Sequence, residues 1–246
     1  LAIALALMSY LTGSLQGPAA LAAGLAAGWI IWVLAYRGSR RMIALIGTGI
    51  GVVAGLALLG LSLVGIGPLT VLWADYTVQV RQQYWATAWN MTLGQPIFGA
   101  GPDSFARFVS EYRPESYIEL LGPVRRVSAA HNIALQFGAT LGVIGLLLWL
   151  VVMGSLIVLL LIRAARAQIV PVVLVAGVGG AWAAYIVQGM VSIDMLPLLA
   201  LGWLVTGLLE AVLKPEAVPV AEPSGGKRGI RTPVAVSSRH TGVIVG

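Results

Sequence analysis

Long apolar runs without a single charge constrain this chain more than any other feature. The stretch Met42–Gly67 is one of several that exceed the ~18 residues from which a membrane-spanning helix is inferred. Of the 246 residues, 59% are hydrophobic and only 10% are charged, and the mean hydropathy is +0.92. These values exclude an ordinary soluble enzyme, in which about 25% of residues are charged. The runs do not alternate as barrel strands do, so we predict an all-α polytopic transmembrane helix bundle.

The order of apolar and polar segments predicts about six spans and one long polar loop at residues 68–130. Residues 1–213 are expected to form a membrane domain that is part of a larger one, with its first span truncated. Residues 214–246 are rich in proline, glycine, serine and charge, and predict a disordered tail. The predicted spans are the end of a first one at Leu1–Thr12, then Pro18–Tyr36, Met42–Gly67, one within His131–Ile162, Ile169–Gln188 and Met195–Val212.

The distribution of charge predicts the orientation of these spans. The 68–130 loop holds five arginines and five acids, so its net charge is zero. The tail carries five further Lys/Arg. Positively charged short loops stay in the cytoplasm, which predicts a cytoplasmic tail and an external 68–130 loop. The short loops after the second and fourth spans carry arginine without acid, at Arg37, Arg40, Arg41, Arg163 and Arg166.

The chain lacks the usual ligands of metals and redox groups. It has no cysteine and two histidines, His131 and His240. Disulfides, thiolate nucleophiles and cysteine-ligated metals are therefore excluded. A histidine-rich metal site is nearly excluded as well.

The 68–130 loop holds most of the concentrated polarity, and chemistry is expected there. Residues 78–93 have a helical pattern that places Arg81, Trp85, Ala88 and Trp89 on one face. This helix could be an interfacial anchor, with its tryptophans at the membrane boundary and Arg81 reaching lipid phosphates. The other arginines of the loop could bind phosphate or pair with the nearby acids; they are Arg107, Arg113, Arg125 and Arg126.

His131-Asn132 is the sharpest local feature, because it stands where the polar loop returns to an apolar run. The unperturbed pKa of histidine lies near neutrality, and His131 is the only such side chain expected near the membrane surface. An ionisable residue at that depth is a functional candidate. Asp194, between the last two predicted spans, is a second candidate or a cap of the following helix.

Several short motifs together resemble the O-antigen ligase and O-antigen polymerase family. The resemblance spans about Leu11–Val212, has its core at Arg81–Gly145, and is strong as a composite although each motif alone is weak. Its pieces, in order, are Arg81-x3-Trp85, Gln95-Pro96-Ile97-Phe98-Gly99-Ala100-Gly101-Pro102-Asp103-Ser104-Phe105, Ala130-His131-Asn132-Ile133-Ala134-Leu135-Gln136 and Gly142-x2-Gly145.

This resemblance implies a membrane glycosyltransferase acting on the outer face of the bacterial cytoplasmic membrane. The implied donor is a glycan on undecaprenyl diphosphate, and the implied acceptor is a glycan, lipid or protein hydroxyl. The resemblance also implies that no metal, other cofactor or nucleic acid takes part. Arg81 is then expected to hold the diphosphate, and His131 to orient or deprotonate the acceptor. Candidate substrate-binding residues are Trp85, Asn132, Arg107, Arg125 and Arg126.

Two positions depart from the family pattern. Relatives carry Ser-Arg-Gly near Ser14–Gly17, where this chain has no arginine, and often a glutamate at the position of Thr140. Arg107, Arg125 or Arg126 could take the place of the missing arginine. Two alternatives therefore stand beside a ligase or polymerase: a transporter or flippase of lipid-linked sugars, and an inactive structural relative.

Overall fold

The computed structural model describes residues 11, 16–125, 127–166, 172–193 and 195–213, and they are helical without any strand. This confirms the predicted all-α polytopic bundle. The expected remainder of a first span at Leu1–Thr12 lies almost wholly outside the described residues, as do Arg126, Asp194 and the predicted tail.

Five helices of the described part are long and apolar enough to cross a membrane. They correspond to the second to sixth predicted spans, with ends shifted by a few residues. Four shorter or more polar helices fill the 68–130 region, for which the sequence predicted a long loop that contains a helix at residues 78–93. In chain order the helices are α1 (Gln16–Ala35), α2 (Arg41–Leu63), α3 (Thr70–Ala74), α4 (Tyr76–Gly94), α5 (Phe105–Tyr112), α6 (Glu115–Leu121), α7 (Ile133–Arg166), α8 (Val172–Gly189) and α9 (Leu196–Leu213).

The spans α1, α7, α8 and α9 pack together, whereas α2 touches little beyond α1. Glycines at a spacing of four predict close approach of helix backbones, and this holds between α1 and α8. A Cβ built on Gly24 would lie 2.8 Å from the carbonyl oxygen of Gly180, so the two backbones are in contact. In α2 the expected packing is not formed within the described part of the chain: nothing lies within 4 Å of a Cβ at Gly47, Gly51 or Gly55.

The 68–130 region has a hydrophobic core of its own, built on the start of α7. Tyr84 and Met91 of α4, Phe105 of α5 and Tyr117 of α6 are buried in it, together with Ala139 of α7. Burying such large side chains stabilises the fold by roughly 1.5–3 kcal/mol each. The region is therefore a packed layer at one end of the bundle that can hold side chains in fixed positions.

Helix α7 is interrupted at Gly142, which has φ 67° and ψ −169°. About two helical turns precede the break, and the membrane-spanning part of α7 follows it. The turn after α4 fills the break, because Ala100 and Gly101 donate backbone hydrogen bonds to the carbonyls of Ala139 and Thr140 at 2.9 Å each. A Cβ at Gly99 would collide with this backbone, which explains a glycine at that point of the turn.

Candidate functional site

Helix α4 carries the first half of the candidate site. Asp75 caps its N-terminus by accepting a hydrogen bond from the backbone N–H of Thr77 at 2.8 Å. The buried stripe of the helix runs through Val80, Tyr84, Thr87, Ala88 and Met91. The predicted face was displaced from this stripe, since Trp89 is exposed and Arg81 and Trp85 flank the buried side.

Arg81 is held by backbone carbonyls. Its Nε donates to the carbonyl oxygen of Val191 at 2.8 Å, and its Nη1 donates to that of Thr77 at 3.1 Å. The first bond links α4 to the connection between α8 and α9. Burial lowers the pKa of Arg81 from its ordinary value, and the nearby Asp75 carboxylate opposes that change. The guanidinium is thus oriented while still charged, since arginine stays protonated in proteins.

The chain reversal before α7 carries the second half of the site. Asn132 caps α7, with its Oδ1 accepting from the backbone N–H of Leu135 at 3.0 Å. Its Nδ2 donates to the carbonyl oxygen of Met190 at 3.0 Å, so the same side chain also binds the end of α8. Gln136 accepts the backbone N–H of Ala130 through Oε1 at 2.8 Å. These bonds hold the junction that the sequence had placed at His131-Asn132.

His131 itself has a left-handed backbone, with φ 55°. A residue with a Cβ costs roughly 1–2 kcal/mol in this region, so the surrounding hydrogen bonds must hold it there. Trp85 contributes one, because its Nε1 donates to the carbonyl oxygen of His131 at 3.4 Å. Strained backbone of this kind concentrates at functional sites.

The His131 imidazole is held by two contacts. Its Nδ1 donates to the carbonyl oxygen of Ala129 at 3.0 Å, and its ring lies 5.1 Å from that of Tyr84 between centroids. With Nδ1 carrying the proton, Nε2 keeps its lone pair. Burial lowers the pKa of His131, the positive charge of Arg81 lowers it further, and the Ala129 carbonyl partly offsets both. The lowered pKa favours the neutral ring, whose Nε2 is able to accept a proton.

Arg81 and His131 meet at one small cavity of about 170 Å³. Arg125 joins them from the segment after α6. Two arginines and a neutral histidine around one cavity can bind an anion such as a phosphate and receive a proton beside it. The other lining residues are Tyr76, Thr77, Val80 and Tyr84.

The remaining sequence candidates lie elsewhere or are differently engaged. Trp85 and Asn132 adjoin His131, but their polar atoms bind backbone groups. Arg107 is exposed on α5 against the ring of Phe108 and does not line the cavity. Arg126 lies outside the described residues.

The described arginines of the 68–130 region do not pair with its described acids. Arg81, Arg107, Arg113 and Arg125 make no ion pair with any carboxylate in the described part of the chain. Among the described residues there is also no group of three His, Asp or Glu side chains that could hold a metal ion. At the cavity, the described contacts of the Arg81 guanidinium are therefore with backbone carbonyls and not with a carboxylate.

Two tyrosines of the site were missed by sequence reasoning. Tyr84 packs on His131, and the ring of Tyr117 lies 6.0 Å from the ring of Tyr84 between centroids. The Tyr117 hydroxyl donates to the carbonyl oxygen of Arg125 at 2.9 Å, which positions that segment. The available signal was the i, i+4, i+8 apolar spacing of Val80, Tyr84 and Ala88, which marks Tyr84 as buried.

Comparison with protein families assigns the chain to a family. A family model described as O-antigen ligase matches residues 1–150. The chain belongs to the O-antigen ligase family. The match contains the whole Arg81–Gly145 core and ends within α7, so α8 and α9 lie beyond it. No curated protein and no solved structure matches the chain. This O-antigen ligase family member is accordingly a membrane protein of a glycan ligase and polymerase family.

Proposed function

We propose that this O-antigen ligase family member transfers a glycan from undecaprenyl diphosphate to an acceptor hydroxyl on the outer face of the bacterial cytoplasmic membrane. The observation that carries the proposal is the convergence of Arg81, Arg125 and His131 on one cavity, although 50 residues of sequence separate Arg81 from His131. A diphosphate-linked sugar needs cations for its leaving group and a base for its acceptor. The cavity offers both.

In the proposed reaction, the acceptor oxygen forms a bond to the anomeric carbon of the donor sugar. The bond from that carbon to the diphosphate oxygen breaks, and its electron pair leaves with the diphosphate. Arg81 and Arg125 stabilise the charge that develops there. The acceptor proton passes to Nε2 of His131, whose Nδ1 is already committed to Ala129. No metal ion takes part in the proposed step.

Trp85 and Asn132 act as positioning residues in this proposal. Trp85 donates to the carbonyl oxygen of His131, and Asn132, the next residue in the chain, binds the backbone of Met190 and Leu135, so both hold the His131 segment in place. The family's second arginine has no counterpart near Ser14–Gly17, and Arg125 is proposed to supply that charge because it lines the cavity. The external location of the site is proposed from the arginine-rich short loops.

The test is sugar transfer by the purified chain in lipid nanodiscs with radiolabelled undecaprenyl-diphosphate glycan and host acceptor lipid. His131→Ala is expected to lower the rate by about 10²–10⁴-fold, the usual contribution of general acid–base catalysis. His131→Gln can hydrogen bond to a hydroxyl but cannot accept its proton, so an equal loss indicates proton transfer. His240→Ala is the matched control and should transfer normally. Normal transfer by correctly inserted His131→Ala would refute the site.

The orientation is tested separately with topology reporters. A reporter inserted near Ser116 should be external, and one fused after Arg166 should be cytoplasmic. A cytoplasmic signal at Ser116 would contradict the proposal, because lipid-linked glycans are used outside. Movement of labelled lipid-linked glycan across the vesicle membrane without sugar transfer would instead indicate a flippase.

A further inference from the structure

A second cavity lies on the 68–130 region, away from Arg81 and His131. Its volume is about 460 Å³, within the ~300–1,000 Å³ typical of ligand sites. Trp73 of α3, three glutamines of α4 and three residues of α6 line it. We refer to it as the glutamine groove, and its polar and aromatic members are Trp73, Gln79, Gln82, Gln83, Ser116 and Glu119.

The groove continues toward the membrane. Trp73 and Gln82 also line an adjoining cavity of about 340 Å³ that reaches Ser62 and Gly65 at the end of α2. The indole of Trp73 is fixed between the two cavities, because its Nε1 donates to Ser62 Oγ at 3.1 Å. A held aromatic ring of this kind offers a flat apolar surface beside polar groups.

Hydrogen bonds within the groove leave specific atoms open. Ser116 donates to Oε1 of Gln83 at 2.8 Å, so the amide nitrogen of Gln83 remains a donor. Gln79 donates to the carbonyl oxygen of Ala74 at 3.2 Å, so its Oε1 remains an acceptor. The amide of Gln82 and the carboxylate of Glu119 make no hydrogen bond or ion pair among the described residues.

The chemistry of this lining selects a neutral, hydroxyl-rich ligand. Among the described residues no lysine or arginine lines the groove, which disfavours phosphate, and the one carboxylate found there is too few for a metal ion. Amide groups both donate and accept, as a sugar hydroxyl does. A fixed indole face can cover the apolar C–H face of a sugar ring. These features together fit a chain of neutral sugars.

We propose that the glutamine groove binds the distal sugars of the donor glycan, the part farthest from the diphosphate; this rests on the proposed transfer reaction. Arg81 and Tyr84 line the catalytic cavity, whereas Gln79, Gln82 and Gln83 line the groove from a different face of α4. A helix is ~10–12 Å across, so a glycan must extend around α4 to occupy both. The groove therefore binds donors that carry several sugars, and a donor with a single sugar does not reach it.

Binding is tested on the full chain in nanodiscs. The probe is the fluorescently labelled oligosaccharide pool released by mild acid from undecaprenyl diphosphate of host membranes. Gln82→Ala should weaken binding about fivefold, the effect of one ordinary hydrogen bond, and Trp73→Leu should weaken it at least as much. Gln95→Ala, a matched glutamine beyond the end of α4, should bind as the wild type. His131→Ala should also bind the pool normally, because the probe lacks the diphosphate.

Kinetics supply the second readout. Gln82→Ala should raise KM for donors carrying several sugars about fivefold while leaving kcat unchanged, and should not affect a donor with one sugar. The groove proposal would be overturned, even if transfer proceeds, if the wild type does not bind the oligosaccharide pool. It would also be overturned if Gln82→Ala and Trp73→Leu bind the pool as tightly as the wild type. Glutamine-dependent binding without any sugar transfer would retain the groove as a glycan site and reject the proposed reaction.

Discussion

The rings of Tyr84 and His131 lie 5.1 Å apart, with an interplanar angle of 38°. Tyr84 is 4% exposed and belongs to the core of the 68–130 region. This contact joins that core to the imidazole, so the position of His131 depends on how well the core is packed.

Tyr84→Leu should therefore lower transfer by about tenfold or more, because His131 loses the ring against which it packs. Tyr84→Phe keeps the ring and should retain most activity. Initial rates with radiolabelled donor, compared at equal amounts of folded protein, measure both variants. Equal activity of the Leu and wild-type proteins would show that the ring does not position His131.

Arg81→Lys should be poorly tolerated. Lysine keeps the charge but loses the planar guanidinium, whose Nε and Nη1 bind the carbonyls of Val191 and Thr77. Hydrogen bonds to charged groups are worth about 1.5–3 kcal/mol, so transfer should fall about 10–100-fold. Arg40→Lys, in an exposed loop, is the control. If Arg81 only reached lipid phosphates, lysine would serve equally well and the rate would not change.

The pH dependence of transfer follows from the lowered pKa of His131. The neutral ring is the proposed base, so activity should persist from neutral pH down to below the usual ~6.5 and be lost as the pH falls through the lowered pKa. Arg81→Gln removes a positive charge that lowers this pKa, so the pKa should rise. NMR titration of His131 in a His240→Ala background measures it directly. A pKa that stays the same or falls in Arg81→Gln would contradict the proximity of the two groups.

Gly142→Ala should destabilise the protein by about 2 kcal/mol or more, which thermal unfolding in detergent can measure. The residue has φ 67°, and a Cβ there would meet the carbonyl group of Ile97. Gly55→Ala is the control, since a Cβ at that helical position has nothing within 4 Å among the described residues. An unfolding temperature of Gly142→Ala equal to that of the control would show that the turn does not fill the break.

The sequence alone determined the membrane helices, the α4 helix and the position of His131-Asn132 at the start of α7. Each of these depends on local properties: apolar runs long enough for a bilayer, helical spacing, and a side chain that caps the next helix. Burial of apolar surface and intrahelical hydrogen bonds act on neighbouring residues, so one stretch of sequence carries enough information.

Only the tertiary structure decided which distant side chains meet. Arg125 and Arg107 are alike in sequence and both are exposed, yet only Arg125 lines the cavity, where the Tyr117 hydroxyl binds its backbone carbonyl. The break at Gly142 likewise requires the turn after α4 to supply backbone partners. Such contacts depend on how separate helices pack, and helix periodicity has no information about residues in other helices.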